Sequence, residues 1–323
     1  MKWHFFNPIN YIIVIAIFIN SCKDSPYDLP SITTSSVIAI GVSNAVSGGN
    51  ILSDGGAPVL ARGVCWSTTP LPTLENDFSE DGENIGWFVS RITNLSPGTK
   101  YYVRAYATNC EGTAYGNERS FISQLNFSCG DTISDYNGNI YLTIPIGDEC
   151  WMQQNLTVSN YNDGEVIPND LDNDEWLYAT QGAVALYDSE ELENTFGKLY
   201  NFHAVNTGKI CPDGWHIPTE QEWDNVINSI GGELFAGGSM KSRTMWNYPN
   251  NYATNRSGFT GLPGGFRFDI RQSPNVGYYG YWWSATADGN YTAKGYNLSY
   301  ANGTIGKSTN GMVKGFSCRC IKD

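Results

Sequence analysis

The stretch CPDGWHIPTEQEWDNVINSIGG, Cys211 to Gly232, decides the fold. It holds a cysteine, a histidine, four carboxylates and two tryptophans, the raw material of an active site or of a scaffold. Thr219 with Glu222 three residues on, and Pro218 just before, is a capping box. There the hydroxyl and the carboxylate answer backbone N–H groups that a first helical turn leaves unpaired. Trp223, Val226, Ile227 and Ile230 follow at i, i+3, i+4 and i+7, one apolar helix face, and Gly231-Gly232 stops the run. Glu222 thus has a structural job and Trp223 faces a core. Glu220 and Asp224 favour the positive end of the helix dipole and otherwise point to water. His216 has no His, Cys or Ser partner at a catalytic spacing and is expected to be a structural or surface imidazole. Cys211 precedes a proline outside the helix, without the dipole that activates a thiol. The stretch reads as scaffold, and no catalytic residues are assigned.

The whole chain agrees. Its 323 residues suit about two domains. A formal charge of −13 repels phosphate backbones, which excludes nucleic acid as a partner class. An aromatic share of 14% among many glycines and asparagines describes an extracellular, loop-rich fold whose turns need positive φ. Beyond Cys22 there are seven cysteines, none in a CxxC pair, and two histidines in the mature chain cannot complete a zinc site of the usual spacing. No metal or other cofactor is expected. Disulfides are, with at least one thiol left over and the pairing open.

MKWHFFNPINYIIVIAIFINSC, residues 1–22, has a basic Lys2 and an apolar run from Tyr11 to Ile19 that is too short to span a bilayer; residues 1–21 read as a signal peptide. Cys22 after Ile19-Asn20-Ser21 resembles a bacterial lipoprotein lipobox. The resemblance implies a lipidated Cys22 and a membrane anchor, with residues 22–30 as a polar, Pro-containing tether. The CKD that begins there resembles the signal that sends lipoproteins of Bacteroidetes-type bacteria to the cell surface. The location it implies is the outer membrane, facing outward.

Residues 31–123 alternate in period two, as in ARGVCWS (61–67) and YYVRAYATN (101–109), and predict an all-β sandwich. GGN at 48–50 and DGGAP at 54–58 read as turns. LSPGTKYYVRAYATNCEGTAYGN (95–117) resembles the corner and following strand of fibronectin type III domains, with Tyr101 as the tyrosine of the corner. On that reading Cys65 lies on a strand next to the one leading to Cys110, which makes a Cys65–Cys110 bridge possible. The domain reads as a spacer.

From Cys129 the texture changes. Two short strands flank the Asn137-Gly138 turn. GDECWMQQNL (147–156), FGKLYNFHAV (196–205), the opening stretch, GFTGLPGGFR (258–267), GYWWSAT (280–286) and GFSCRCIKD (315–323) occur in the order of the Fibrobacter succinogenes major paralogous domain, and residues 129–323 resemble that family. GWHIPTEQEW and GFSCRCIKD are also similar, more distantly, to the formylglycine-generating enzyme superfamily. That similarity implies an α+β, C-type-lectin-like fold rich in irregular structure and a structural bridge from Cys320 to Cys211. The copper-binding cysteine pair of active members is not expected of Cys318 and Cys320. The Ca²⁺ motifs of sugar-binding C-type lectins are missing, and NDLDNDEW (169–176) reads as a solvated loop.

Asn275–Gly303 carries eight Tyr and Trp residues among Gly, Asn and Ser. On alternating strands about half face the core, Trp282 or Trp283 among them. Tyr278, Tyr279, Tyr281, Trp282 and Trp283 are the candidate ligand surface, suited to stacking on sugar rings or to protein contacts. The expected function is a non-catalytic extracellular binding or adhesion module with a glycan or protein ligand; the alternative is a structural envelope component.

Overall fold

The computed structural model describes residues 27–169, 171–268 and 275–323; the signal segment, Cys22 and the start of the tether lie outside them. No helix among the described residues is long and apolar enough to cross a membrane. The chain divides into two compact units, Met1–Phe127 and Ser128–Asp323.

The first unit packs two antiparallel sheets. One has the order β1 (Ser31–Thr34), β2 (Ala45–Ser53), β5 (Gly86–Ile92). The other runs β4 (Asp77–Phe78), β3 (Ala61–Ser67), β6 (Lys100–Asn109), β7 (Gly112–Tyr115), with β8 (Arg119–Ile122) also on β6. Alternating residues from both sheets, including Val64, Trp66, Phe88, Ile92 and Val103, fill the core. Tyr101 makes the corner: its hydroxyl accepts from Ser96 N–H at 2.9 Å while its ring stacks on Phe121. Gly55 and Gly56 have positive φ and turn the chain. Gly48 to Asn50 do not turn it; they run inside β2. A Cβ on Gly49 would come within 2.8 Å of the Ala105 Cβ, so this glycine permits close packing.

The Cys65–Cys110 bridge does not form. Cys65 pairs with Arg104 across β3 and β6, and six residue steps, roughly 20 Å of chain at ~3.3 Å per residue, separate that position from Cys110. A disulfide spans only about 4.4–6.8 Å between Cα atoms. Cys65 is a buried free thiol near the carbonyls of Pro72 and Arg104, and burial pushes its pKa up to about 11.

In the second unit β9 (Thr132–Ser134) and β10 (Ile140–Ile146) flank the Asn137-Gly138 turn and β11 (Glu149–Met152) follows. Helices α1 (Asn173–Leu177), α2 (Glu190–Phe196) and α3 (Phe202–Asn206) alternate with the short pair β12 (Val184–Ala185) and β13 (Leu199–Tyr200). Then come β14 (Trp215–His216), α4 (Glu220–Ser229), α5 (Glu233–Met240), the meander β15 (Tyr279–Ala287), β16 (Thr292–Ser299) and β17 (Ile305–Gly311), and β18 (Ile321–Lys322). The main sheet has the order β14-β18-β11-β10-β9, so the last strand closes beside one of the first. Bridges Cys129–Cys150 and Cys211–Cys320 lock its strands. Cys318 is a buried free thiol.

α4 begins as its sequence dictates. Thr219 is the N-cap, both bonds of the box form with Glu222, and Trp223, Val226 and Ile227 are buried. Trp223 meets Trp151 edge-on at 4.9 Å and stacks on Tyr296 at 4.7 Å. Glu220 and Asp224 do not simply face water: the Lys307 ammonium joins them at 2.5 and 2.9 Å. The acidic run at 169–176 is a second capping box, Asp172 with Glu175, at the start of α1.

His216 sits between two carboxylates, Asp323 at 2.6 Å and Glu222 at 3.1 Å. Partial burial disfavours its cation, but the hydrogen bonds to Asp323 and Glu222 prevail, and its pKa lies above the ordinary 6.5. Glu222 loses some hydration, yet the Thr219 backbone and hydroxyl and His216 hold its pKa below the ordinary 4.5. The raised group stabilises fully below pH 6.5 and loses this as pH rises through its folded pKa. The lowered group stabilises above pH 4.5 and loses this as pH falls. Both contributions are therefore complete from about pH 4.5 to 6.5. Because the pair is more than a third exposed on the His side, screening limits it to about 1 kcal/mol or less. His216→Gln should flatten the fall in thermal stability between pH 6 and pH 9, at ~1 kcal/mol or below, measured by calorimetry; profiles identical to the parent's would refute the pairing's role.

Candidate functional site

The five aromatic residues named from sequence do not form one surface. Tyr278 is exposed, Tyr279 and Tyr281 are half-buried, and Trp282 and Trp283 are both core, at 1% and 0% exposure. Adjacent strand residues point to opposite faces, so one tryptophan should have reached solvent if β15 had a free face. It has none. Trp282 packs on Phe259 and donates its indole N–H to Asn155 Oδ1 at 2.8 Å. Trp283 lies between Phe202 and Phe316 and donates to the Tyr200 carbonyl at 2.8 Å. Tyr281 stacks on Phe316 at 5.0 Å. The Trp282-Trp283 pair is therefore removed from the candidate surface.

Exposed aromatic character lies elsewhere in this unit. A cavity of about 540 Å³ is walled by α5, the loop 245–256 and the turn between β16 and β17. Leu234 and Phe235 on the outer face of α5 are 71% and 70% exposed, and Tyr252 opposite is 75% exposed. Large apolar side chains held in water around a concavity are the ordinary mark of a contact site. Ser239, Thr254, Arg256, Asn302 and Thr304 supply its polar lining.

The cavity depends on two glycines. On α5 a Cβ at Gly237 would stand 2.1 Å from the Thr304 carbonyl oxygen, and one at Gly238 would stand 2.6 Å from that of Tyr252. Their absence lets turn and loop lie directly on the helix. Gly238 N–H then donates to Gly303 O, and Thr254 N–H to Gly238 O, both at 2.8 Å. Met245, Asn250, Tyr252, Asn255 and Thr260 all have positive φ, a concentration of strained backbone of the kind stored at functional sites.

Lys241, the residue after α5, is fully buried. Its ammonium donates to the carbonyls of Asn251 at 2.7 Å, Ser299 at 2.9 Å and Asn302 at 2.8 Å. All three donors are used, and they tie the loop that carries Tyr252 to the turn that carries Asn302. Burial pushes the Lys241 pKa down to about 8, which leaves the amine mostly charged at neutral pH. Lys241→Met should leave three carbonyls unanswered and destabilise the unit by about 3 kcal/mol or more, with proteolytic cleavage opening first between 245 and 256. A chemical-denaturation midpoint unchanged from the parent would contradict this role.

These features describe a β-rich chain whose second unit presents a preformed, aromatic-walled cavity. The Fibrobacter succinogenes major domain model matches residues 144–322, over half of the chain, and the chain belongs to that family. No curated protein matches it. Among solved structures, the fibronectin type III domain of human fibronectin type III domain containing protein 3 is 16% identical, covering 33% of this chain and 94% of that one at a TM-score of 0.22. The sensor domain of the anti-sigma factor RsgI4 in Pseudobacteroides cellulosolvens is 13% identical, covering 32% of this chain and all of that one (100%) at a TM-score of 0.23. The sandwich assignment of the first unit rests on its own strand order and the Tyr101 bond.

Proposed function

We propose that this protein is a surface lipoprotein that acts outside the cell as a non-catalytic binding or adhesion module, with a glycan as the preferred ligand. The cavity between Phe235 and Tyr252 carries the reading. Two exposed aromatic faces beside amide and hydroxyl groups suit a sugar ring, whose C–H face stacks while its hydroxyls bond. Cys22 after the signal segment supports a lipid anchor in the outer membrane, with the first unit as a spacer. The return of β18 to β11 and the Cys211–Cys320 bridge support a C-type-lectin-like fold for the second unit.

A formylglycine-generating type of chemistry is not part of this proposal. Cys320 is held in a disulfide, and burial raises the pKa of Cys318 far above that of a reactive thiol. The full chain should bind a subset of a glycan array saturably. Phe235→Ala and Tyr252→Ala, both solvent-exposed side chains, should each weaken that binding by roughly tenfold or more, as truncation of an anchor residue does, with unchanged circular dichroism. An array silent at every glycan would remove the glycan reading and leave a protein ligand or the structural role.

A further inference from the structure

The cavity also carries a charge signature. Arg256 is the only charged side chain among its lining residues, in a chain with 32 acidic and 19 basic residues. It is exposed, and its guanidinium has no ion-pair or hydrogen-bond partner among the described residues. Three other cations of this unit carry ion pairs, Lys209 with Asp163, Lys294 with Asp288 and Lys307 with Glu220 and Asp224; Arg243 is exposed and unpaired among the described residues, like Arg256, but does not line the cavity. No carboxylate lines the cavity to do the same for Arg256.

The backbone that carries Arg256 is held on both sides. Thr254 N–H donates to Gly238 O at 2.8 Å and Ser257 N–H to Ser239 O at 3.1 Å, so residues before and after it are fastened to the C-terminal half of α5. Asn255 is further locked to Thr260 through both ends of its side chain, at 2.8 and 2.9 Å. A cation rooted in fixed backbone loses less entropy on meeting a ligand. Its planar fork matches a carboxylate or a sulfate, both of which accept two parallel N–H bonds.

We propose that the cavity selects acidic saccharides, with the anionic group of a sugar residue on Arg256 and the ring face against Phe235 or Tyr252. This deepens the binding-module reading and rests on it. The net negative charge of the protein disfavours anionic glycans on most of its surface, whereas the cavity joins an unpaired cation to exposed aromatic faces. A neutral glycan would leave the guanidinium in water, unchanged by binding.

The test uses isothermal titration of the full chain with three oligosaccharides of equal length: an oligogalacturonate, a sulfated oligogalactan and a neutral oligogalactan. The expected result is binding of one or both acidic oligomers at least ~10-fold tighter than the neutral one. Arg256→Gln should abolish that preference, and raising salt to about 0.5 M should weaken acidic binding alone. Which acidic oligomer binds identifies carboxylate or sulfate as the anion. If the neutral oligomer binds as tightly as the acidic ones, or if Arg256→Gln leaves the preference intact while Tyr252→Ala abolishes binding, the acidic selectivity is wrong and the binding module stands. If none of the three binds, the proposal is overturned; binding of other glycans on the array would then show that the module reading survives it.

Discussion

The second unit depends on one buried amide. Asn155 Oδ1 accepts from the Trp282 indole at 2.8 Å and from Arg319 Nε at 2.7 Å, while its Nδ2 donates to the Phe196 carbonyl at 2.7 Å and to Ser317 Oγ at 3.2 Å. Both lone pairs and both N–H groups are used, the full capacity of an asparagine. Four segments, drawn from β15, the end of α2, the C-terminal run and the stretch after β11, are fixed against one another at this point. Such a network is stable only when every member is satisfied. Arg319 is the member that raises the stakes. It is 1% exposed and meets no carboxylate among the described residues. Its charge is balanced instead by the carbonyls of Phe259 and Thr260 and by the Phe259 ring, 3.9 Å away. Burial lowers its pKa to about 9, which still leaves the guanidinium charged at neutral pH.

That arrangement reaches the cavity. Phe259 and Thr260, held by Arg319, end the loop whose middle bears Tyr252 and Arg256. Lys241 holds Asn251 in the same loop from the other direction. Two buried cations therefore define a segment that has almost no regular secondary structure and whose backbone includes several unfavourable φ values. The loop is shaped by carbonyls wrapped on cations rather than by a sheet ladder. Its exposed aromatic and cationic side chains are thereby presented without support from a ligand. Preorganisation of this kind lowers the ordering cost of meeting a ligand.

Much of this scaffold was legible in the sequence. Thr219 and Glu222 gave the start of α4 because capping chemistry is local, and the i, i+3, i+4 spacing placed Trp223 in the core. Tyr101 at the sandwich corner and the Cys211–Cys320 pairing came instead from family resemblance. The site was less legible. Period two says which residues share a strand face but not whether both faces are covered, so Trp282 and Trp283 gave no sign that both are interior. The Cys65–Cys110 bridge fails because strand register, a long-range property, decides their separation. Phe235, Tyr252, Arg256 and Asn302 are scattered over nearly seventy positions, and the Gly237-Gly238 close approach and the Lys241 bonds bring them together. Lys241 carried no signal at all: a lysine in a polar run reads as surface until three carbonyls are found around it.

Native-state hydrogen exchange of the full chain tests the central claim, that the cavity is built in advance of any ligand. The amides of Gly238, Thr254 and Ser257, which donate within the cavity wall, should be protected to a degree comparable with the paired strand β16. Exchange of those three amides at the rate of an open loop, while β16 stays protected, would contradict a preformed site.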